Sequence, residues 1–165
     1  MNVKTWAQAL NTMPKLSPSE WRELDVVSRW LIATRASVLF MTFMSAALGG
    51  LLAARDAGFD WRAWLVCTLG LVFAHATNNL LNDYTDSRRG IDRDNYYRNQ
   101  YGVHVLEDGL LNQGQFWIYV AITGGVALAL GAWLIWDRSG LALNLMLAGT
   151  FFVLFYTWPL KYYGL

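Results

Sequence analysis

An all-α integral membrane helical bundle with four transmembrane helices is the fold class this sequence predicts, and three observations predict it. Of the 165 residues, 55% are hydrophobic, with nine Trp, eight Tyr and eight Phe. The 13 basic and 12 acidic residues leave four stretches with no charge at all, 36–54, 63–82, 109–136 and 140–160, each at least 19 residues long. A hydrocarbon core of about 30 Å needs about 20 helical residues to cross it. The basic residues are also one-sided. With four spans, Lys4, Lys15, Arg22, Arg29, Arg35, Arg88, Arg89, Arg93, Arg98 and Lys161 share one face of the membrane, and only Arg55, Arg62 and Arg138 lie on the other. Ten against three orients the first set to the cytoplasm.

A soluble bundle with four such helices in so short a chain would lack the polar surface to cover them. Residues 1–165 carry no internal repeat, low-complexity tract or Gly/Pro linker, so one membrane domain is expected. Residues 1–27 are polar and amphipathic, without the apolar core and small-residue cleavage site of a secretory signal. The single Cys67 lies mid-span, so no disulfide framework exists. The expected setting is the bilayer of a bacterial or archaeal inner membrane, with no nucleic-acid partner.

The elements follow in order. Residues 1–27 read as an interfacial segment, with Trp6, Leu10, Met13 and Trp21 as membrane-surface anchors. Ser17-Pro18-Ser19-Glu20 has the form of a capping box: Ser17 as cap, Pro18 in the first turn, Glu20 reaching back. Trp21, Leu24, Val27 and Leu31 then share one face, and Asp25 can pair with Arg29 across a turn. Spans are expected at about 30–54, 62–82, 115–136 and 140–158. Small residues in them, Ser45 to Ala47, Gly49, Gly50, Gly124, Gly125 and Gly131, allow close helix packing.

The loop 83–112 breaks the pattern, with ten charges between two spans that have none. The helix leading into it ends in His75, Thr77, Asn78, Asn79, Asn82, Asp83 and Asp86. Polar groups at membrane depth are expensive unless they face protein or a wet cavity, so this end is not expected to face lipid. Asn79, Asp83 and Asp86 are spaced i, i+4, i+7, and Asn78, Asn82 and Asp86 i, i+4, i+8, so both sets lie on one face. Gly90 permits a turn that returns Asp92 to the cluster. Carboxylates and carboxamides at a helix carboxyl end suit a hard cation. Mg2+ takes oxygen ligands, keeps waters, and is typically held by one or two carboxylates plus substrate phosphates. Arg88, Arg89 and Arg93 either clamp an anion or neutralise the cluster. The plain alternative is a solvated, charge-balanced loop, since charge runs usually pair on the surface. For His75 and Asn78 the plain reading is polar packing inside the bundle.

The run NLLNDYTDSRRGID, residues 79–92, resembles the first aspartate-rich motif of the UbiA-type intramembrane prenyltransferases, and its long gap before Asp92 looks most like the 1,4-dihydroxy-2-naphthoate prenyltransferase branch. Thr34-Arg35 falls where that family often has Arg-Pro, with Ala36 here in place of the proline. His104-Val105-Leu106 with Gly109-Leu110-Leu111 is similar to the family's stretch before its third helix. Tyr156-Thr157, Pro159 and Leu160-Lys161-Tyr162 are similar to the segment after its fourth, where a basic residue lies near a diphosphate.

The resemblance implies that these residues form the first part of a fold of roughly nine transmembrane helices. It implies an isoprenyl diphosphate donor, an aromatic acceptor and Mg2+ as cofactor, with product in menaquinone-type quinone biosynthesis. The expected metal residues are Asn82, Asp86 and Asp92, with Asp83 as ligand or support and Asn79 orienting them. Arg35, Arg88, Arg89 and Lys161 are the expected diphosphate contacts. Tyr84, Tyr96, Tyr97, Phe151 and Tyr156 are candidates to shelter an allylic cation, although Phe151 in an apolar helix reads first as plain packing. The family's second aspartate-rich motif does not occur in residues 1–165, so the expectation is half a site that a C-terminal half or second subunit completes. Within the family the acceptor alternatives are 4-hydroxybenzoate, homogentisate, haem, chlorophyllide and a glycerol lipid. Outside it stands a non-catalytic four-helix membrane protein that binds a cation or lipid head group.

Overall fold

The computed structural model describes residues 3–55, 59–90, 102–138, 140–157 and 159–163. Asp92, Arg93, Tyr96, Tyr97 and Arg98 lie outside the described residues. The chain forms α1 (Val3–Asn11), α2 (Pro18–Glu23), α3 (Val26–Ala33), α4 (Ala36–Ala53), α5 (Trp61–Arg89), α6 (Gln113–Arg138) and α7 (Leu141–Phe155), then a 3-10 turn at Leu160–Tyr163. Among the described residues there is no strand.

The capping box is present: Glu20 Oε2 accepts from the Ser17 amide at 2.8 Å, and Ser17 Oγ accepts from the Glu20 amide at 3.3 Å. The Ser17 hydroxyl, donating to Glu20 Oε2 at 2.7 Å, and then the Ser17 amide hold the Glu20 carboxyl below its ordinary value. Asp25 caps α3 by accepting the Val27 and Ser28 amides at 3.1 Å each, and it also takes the Trp6 indole N–H. Arg29, expected to pair with Asp25, donates to the carbonyls of Trp21 and Arg22. The interfacial reading of 1–27 needs one correction. Leu10 and Met13 are exposed, but Trp21 is only 3% exposed and packs in the core. The face shared by Trp21 and Leu24 is turned inward because residues 102–112 fold back over it.

Three helices, Ala36–Ala53, Trp61–Arg89 and Gln113–Arg138, are long and apolar enough to cross a bilayer. The fourth expected span forms α7, an apolar helix of 15 residues rather than a segment reaching 158. Helix α5 lies between α4 and α6, and α7 touches both α5 and α6. Outward-facing Phe40, Met41, Leu48, Ile122, Trp136 and Leu145 are exposed, as expected of surface that meets lipid.

Of the small residues, Gly50 lies against the Trp64 indole, Gly124 against Thr77 and Gly131 against Met146, whereas Gly49 and Gly125 have open space beside them. Close approach is needed at Gly50 and Gly131, whereas at Gly124 a side-chain carbon would make only ordinary contact with Thr77. The Trp64 indole N–H also donates to the Ala46 carbonyl at 2.8 Å, tying α5 to α4.

The main hydrophobic cluster is at the end of the bundle, not its middle. It gathers Ala9 of α1, Trp21 of α2, Ile32 and Ala33 of α3, Leu80 of α5, Val103, Val105, Leu110 and Leu111, and Phe116 of α6. Segments that precede α4 and follow α5 thus meet at one end of the bundle. At the opposite end Arg138 pairs with Asp60, joining the α6–α7 and α4–α5 connections.

Candidate functional site

The site is built at the carboxyl end of α5, where its apolar pattern gives way to polar residues. Gly90 adopts a left-handed backbone, φ 67, and ends the helix as the sequence indicates. The last turns of α5 therefore keep Asn82, Asp83 and Asp86 in helical register, with the cation-favouring end of the helix dipole nearby. Asp83 and Asp86 are 1% and 4% exposed. Such burial of carboxylates requires partners.

Asp86 has them in Asn82 and Lys161. Asn82 Nδ2 donates to Asp86 Oδ2 at 2.9 Å. The Lys161 ammonium, from the 3-10 turn beyond α7, lies 3.0 Å from each Asp86 oxygen and 3.1 Å from Asn82 Oδ1. Three oxygen atoms from two residues thus converge on one positive charge. Asp83 is turned the other way, to an ion pair with Arg35 at the α3–α4 corner. Arg35 there has a left-handed backbone, φ 55, the one such non-glycine residue among those described. Strained backbone of this kind costs of order 1–3 kcal/mol and persists where its surroundings demand it. Asn79 supports the same corner, its Nδ2 donating to the Thr34 carbonyl at 2.9 Å.

The expected cluster therefore divides in two. Asn82, Asp86 and Lys161 come together, while Asp83, Arg35 and Asn79 form a separate corner. Arg88 stands apart from both, bonded through Nε to the Tyr84 hydroxyl at 3.1 Å, with its guanidinium over the Tyr84 ring. Arg89 is exposed on the last turn. Tyr84 itself packs with Phe116 and Trp117. Phe151 meets its helix neighbours Phe152 edge-on and Phe155 at a tilt, and both Phe151 and Tyr156 are about half exposed.

Deeper along α5, His75 Nδ1 is 2.7 Å from Thr42 Oγ1 of α4, and Asn78 Oδ1 is buried with no hydrogen-bond partner among the described residues. Thr42 and the Thr34 carbonyl were not among the expected site groups. Their signal is weak, because a threonine in an apolar helix and a backbone carbonyl carry no motif.

Chemically, the convergent oxygens of Asn82 and Asp86 suit a hard, oxygen-seeking cation, and the ammonium shows that a positive charge is accommodated there. One carboxylate and one carboxamide from the described residues fit Mg2+ with several retained waters. Among the described residues no group of three His, Cys, Asp or Glu gathers for a metal.

Fold and site define the class: a multi-pass membrane protein with a lysine, a carboxylate and a carboxamide gathered at the carboxyl end of one helix. The model of the UbiA prenyltransferase family matches residues 42–165, and the chain belongs to that family. The family's reaction is transfer of a prenyl group, in general to aromatic acceptors, with Mg2+ and diphosphate substrates. The matched stretch contains Asn79, Asn82, Asp83, Asp86 and Lys161 and leaves Arg35 outside it. No curated protein and no solved structure gives a significant match.

Proposed function

We infer that this chain supplies the first aspartate-rich half of a cytoplasm-facing site that transfers a prenyl group from an isoprenyl diphosphate to an aromatic acceptor. The observation that carries the reading is the convergence of Asn82 Oδ1 and both Asp86 oxygens on a single cation, at a helix end on the membrane boundary. Asn82 and Asp86 would hold Mg2+, and Asp92, in the same motif, is the third ligand in this reading. Bound there, Mg2+ supplies Lewis-acid stabilisation of the departing diphosphate.

The chain's own residues do the rest. Lys161 offers an ammonium to the diphosphate, Arg88 and Arg89 add positive charge at the mouth, and Asp83 fixes Arg35 where α3 meets α4. The long spacing from Asp86 to Asp92 supports a 1,4-dihydroxy-2-naphthoate-type acceptor and a menaquinone-type product. A diphosphate carries more charge than one such cluster balances in a low-dielectric cavity. In this reading a second acidic cluster, absent from residues 1–165, completes the site, and these residues bind diphosphate without turning it over.

The test is Mg2+-dependent binding of farnesyl diphosphate to the chain in lipid nanodiscs. Asp86→Ala is expected to abolish the Mg2+-dependent component. Binding unchanged by that substitution would sink the assignment.

A further inference from the structure

We propose that Lys161 holds the cation position of the motif until a metal-bound diphosphate arrives, so that the site selects the metal–diphosphate complex over the free metal ion. This rests on the reading of Asn82 and Asp86 as metal residues and adds the form in which the metal enters.

The geometry sets an exclusion. The ammonium lies 3.0 to 3.1 Å from three oxygens of Asn82 and Asp86. A Mg2+ ion on those oxygens sits about 2.0–2.1 Å from each ligand atom it takes. Both positions fall in the small space the oxygens enclose, and two cations there would repel each other across a few ångströms. One must leave.

Lys161 is the member able to move. Its side chain is 35% exposed against 6% for Asp86, and it stands on a 3-10 turn rather than a long helix. Its amide donates to the Tyr156 carbonyl at 2.8 Å, which pins the backbone while the four-carbon side chain swings. A bare metal ion that displaces it breaks the charge-assisted hydrogen bonds of the ammonium to Asn82 and Asp86. A metal carrying a diphosphate brings anionic oxygens to receive the ammonium. Metal and diphosphate then help each other to bind, and such couplings are typically about 5- to 150-fold.

The experiment uses Mn2+ as a spectroscopically visible stand-in for Mg2+ and inorganic diphosphate as the anion, with the full chain in nanodiscs and bound Mn2+ read by electron paramagnetic resonance. The wild type is expected to bind Mn2+ about tenfold or more tightly with diphosphate than without. In Lys161→Met, Mn2+ alone binds about tenfold more tightly than in wild type, and the gain from diphosphate shrinks. Lys161→Gln is the companion variant should the Met protein not fold, with the same result expected. A variant that merely loosened the structure would weaken both affinities, so opposite movements are the signature. Mn2+ affinity unchanged or lowered by both substitutions overturns the proposal, as does a wild type that binds Mn2+ equally with and without diphosphate. Asp86→Asn separates the two layers. If it leaves Mn2+ binding intact, the metal assignment itself fails, and this inference with it.

Discussion

Two arginine–aspartate pairs stand at opposite ends of this bundle and show how depth changes the same chemistry. Arg35 and Asp83 have side chains 16% and 2% exposed, whereas Arg138 and Asp60 are 48% and 37% exposed. Both pairs join elements distant in sequence. The first closes a corner beside the candidate site, under a layer of packed side chains. The second ties two connections together in the open. Exposed pairs are usually worth little, because water and salt screen them and long side chains resist being fixed. Removing one partner of a buried pair strands the other without water, a loss that bears on the whole fold.

The sharpest test of the contrast is Asp83→Ala. It is expected to lower stability by about 3–5 kcal/mol by leaving Arg35 without its carboxylate. Unfolding in mixed micelles would report it. A loss of diphosphate binding with stability intact would instead make Asp83 a ligand.

The next largest effect lies at the opposite end, where the Trp64 indole of α5 packs on Gly50 of α4 and donates to the Ala46 carbonyl. A Cβ added at Gly50 would meet the Trp64 indole. Gly50→Ala is expected to cost about 1–3 kcal/mol by forcing that ring aside, seen as a lower unfolding midpoint. An unchanged midpoint would show that the α4–α5 contact is slack there.

The smallest effect concerns Asp60. Its carboxyl is held below the ordinary value first by the amides of Ala63 and Arg62, and only less by the Arg138 charge. Because the folded value is the lower one, the stability Asp60 contributes is present above its ordinary titration range and is lost as pH falls through that lowered value. Arg138→Ala is expected to leave both the midpoint at pH 7 and its acid dependence nearly as in wild type. A clear drop at pH 7 would mean the exposed pair matters more than its setting implies.

Much of the site end was legible in the sequence. The charge-free runs mark the spans, Ser17 and Glu20 mark a helix start, and Gly90 marks the end of α5. The polar run from His75 to Asp86 marks where the apolar pattern gives way. Tertiary choices were not legible. Asp83 and Arg35 lie 48 residues apart, and Arg35 meets it from a left-handed turn, which a non-glycine residue seldom adopts and which Thr34-Arg35-Ala36 does not announce. Trp21 looked like a surface anchor because its cover, residues 102–112, comes from beyond two spans. The division of one acidic run into a corner and a cation cluster follows from those contacts, not from spacing.

The short α7 carries a further consequence. Its 15 residues rise about 22 Å, several ångströms less than the hydrocarbon they would need to fill, while α5 beside it is 29 residues long and overshoots. A helix shorter than the hydrocarbon is accommodated at modest cost by local thinning of the bilayer, by flanking residues that reach the interface, or by association with other helices. Of these, association is already in place, since α7 packs against both α5 and α6, and the longer helices beside it carry the shorter one.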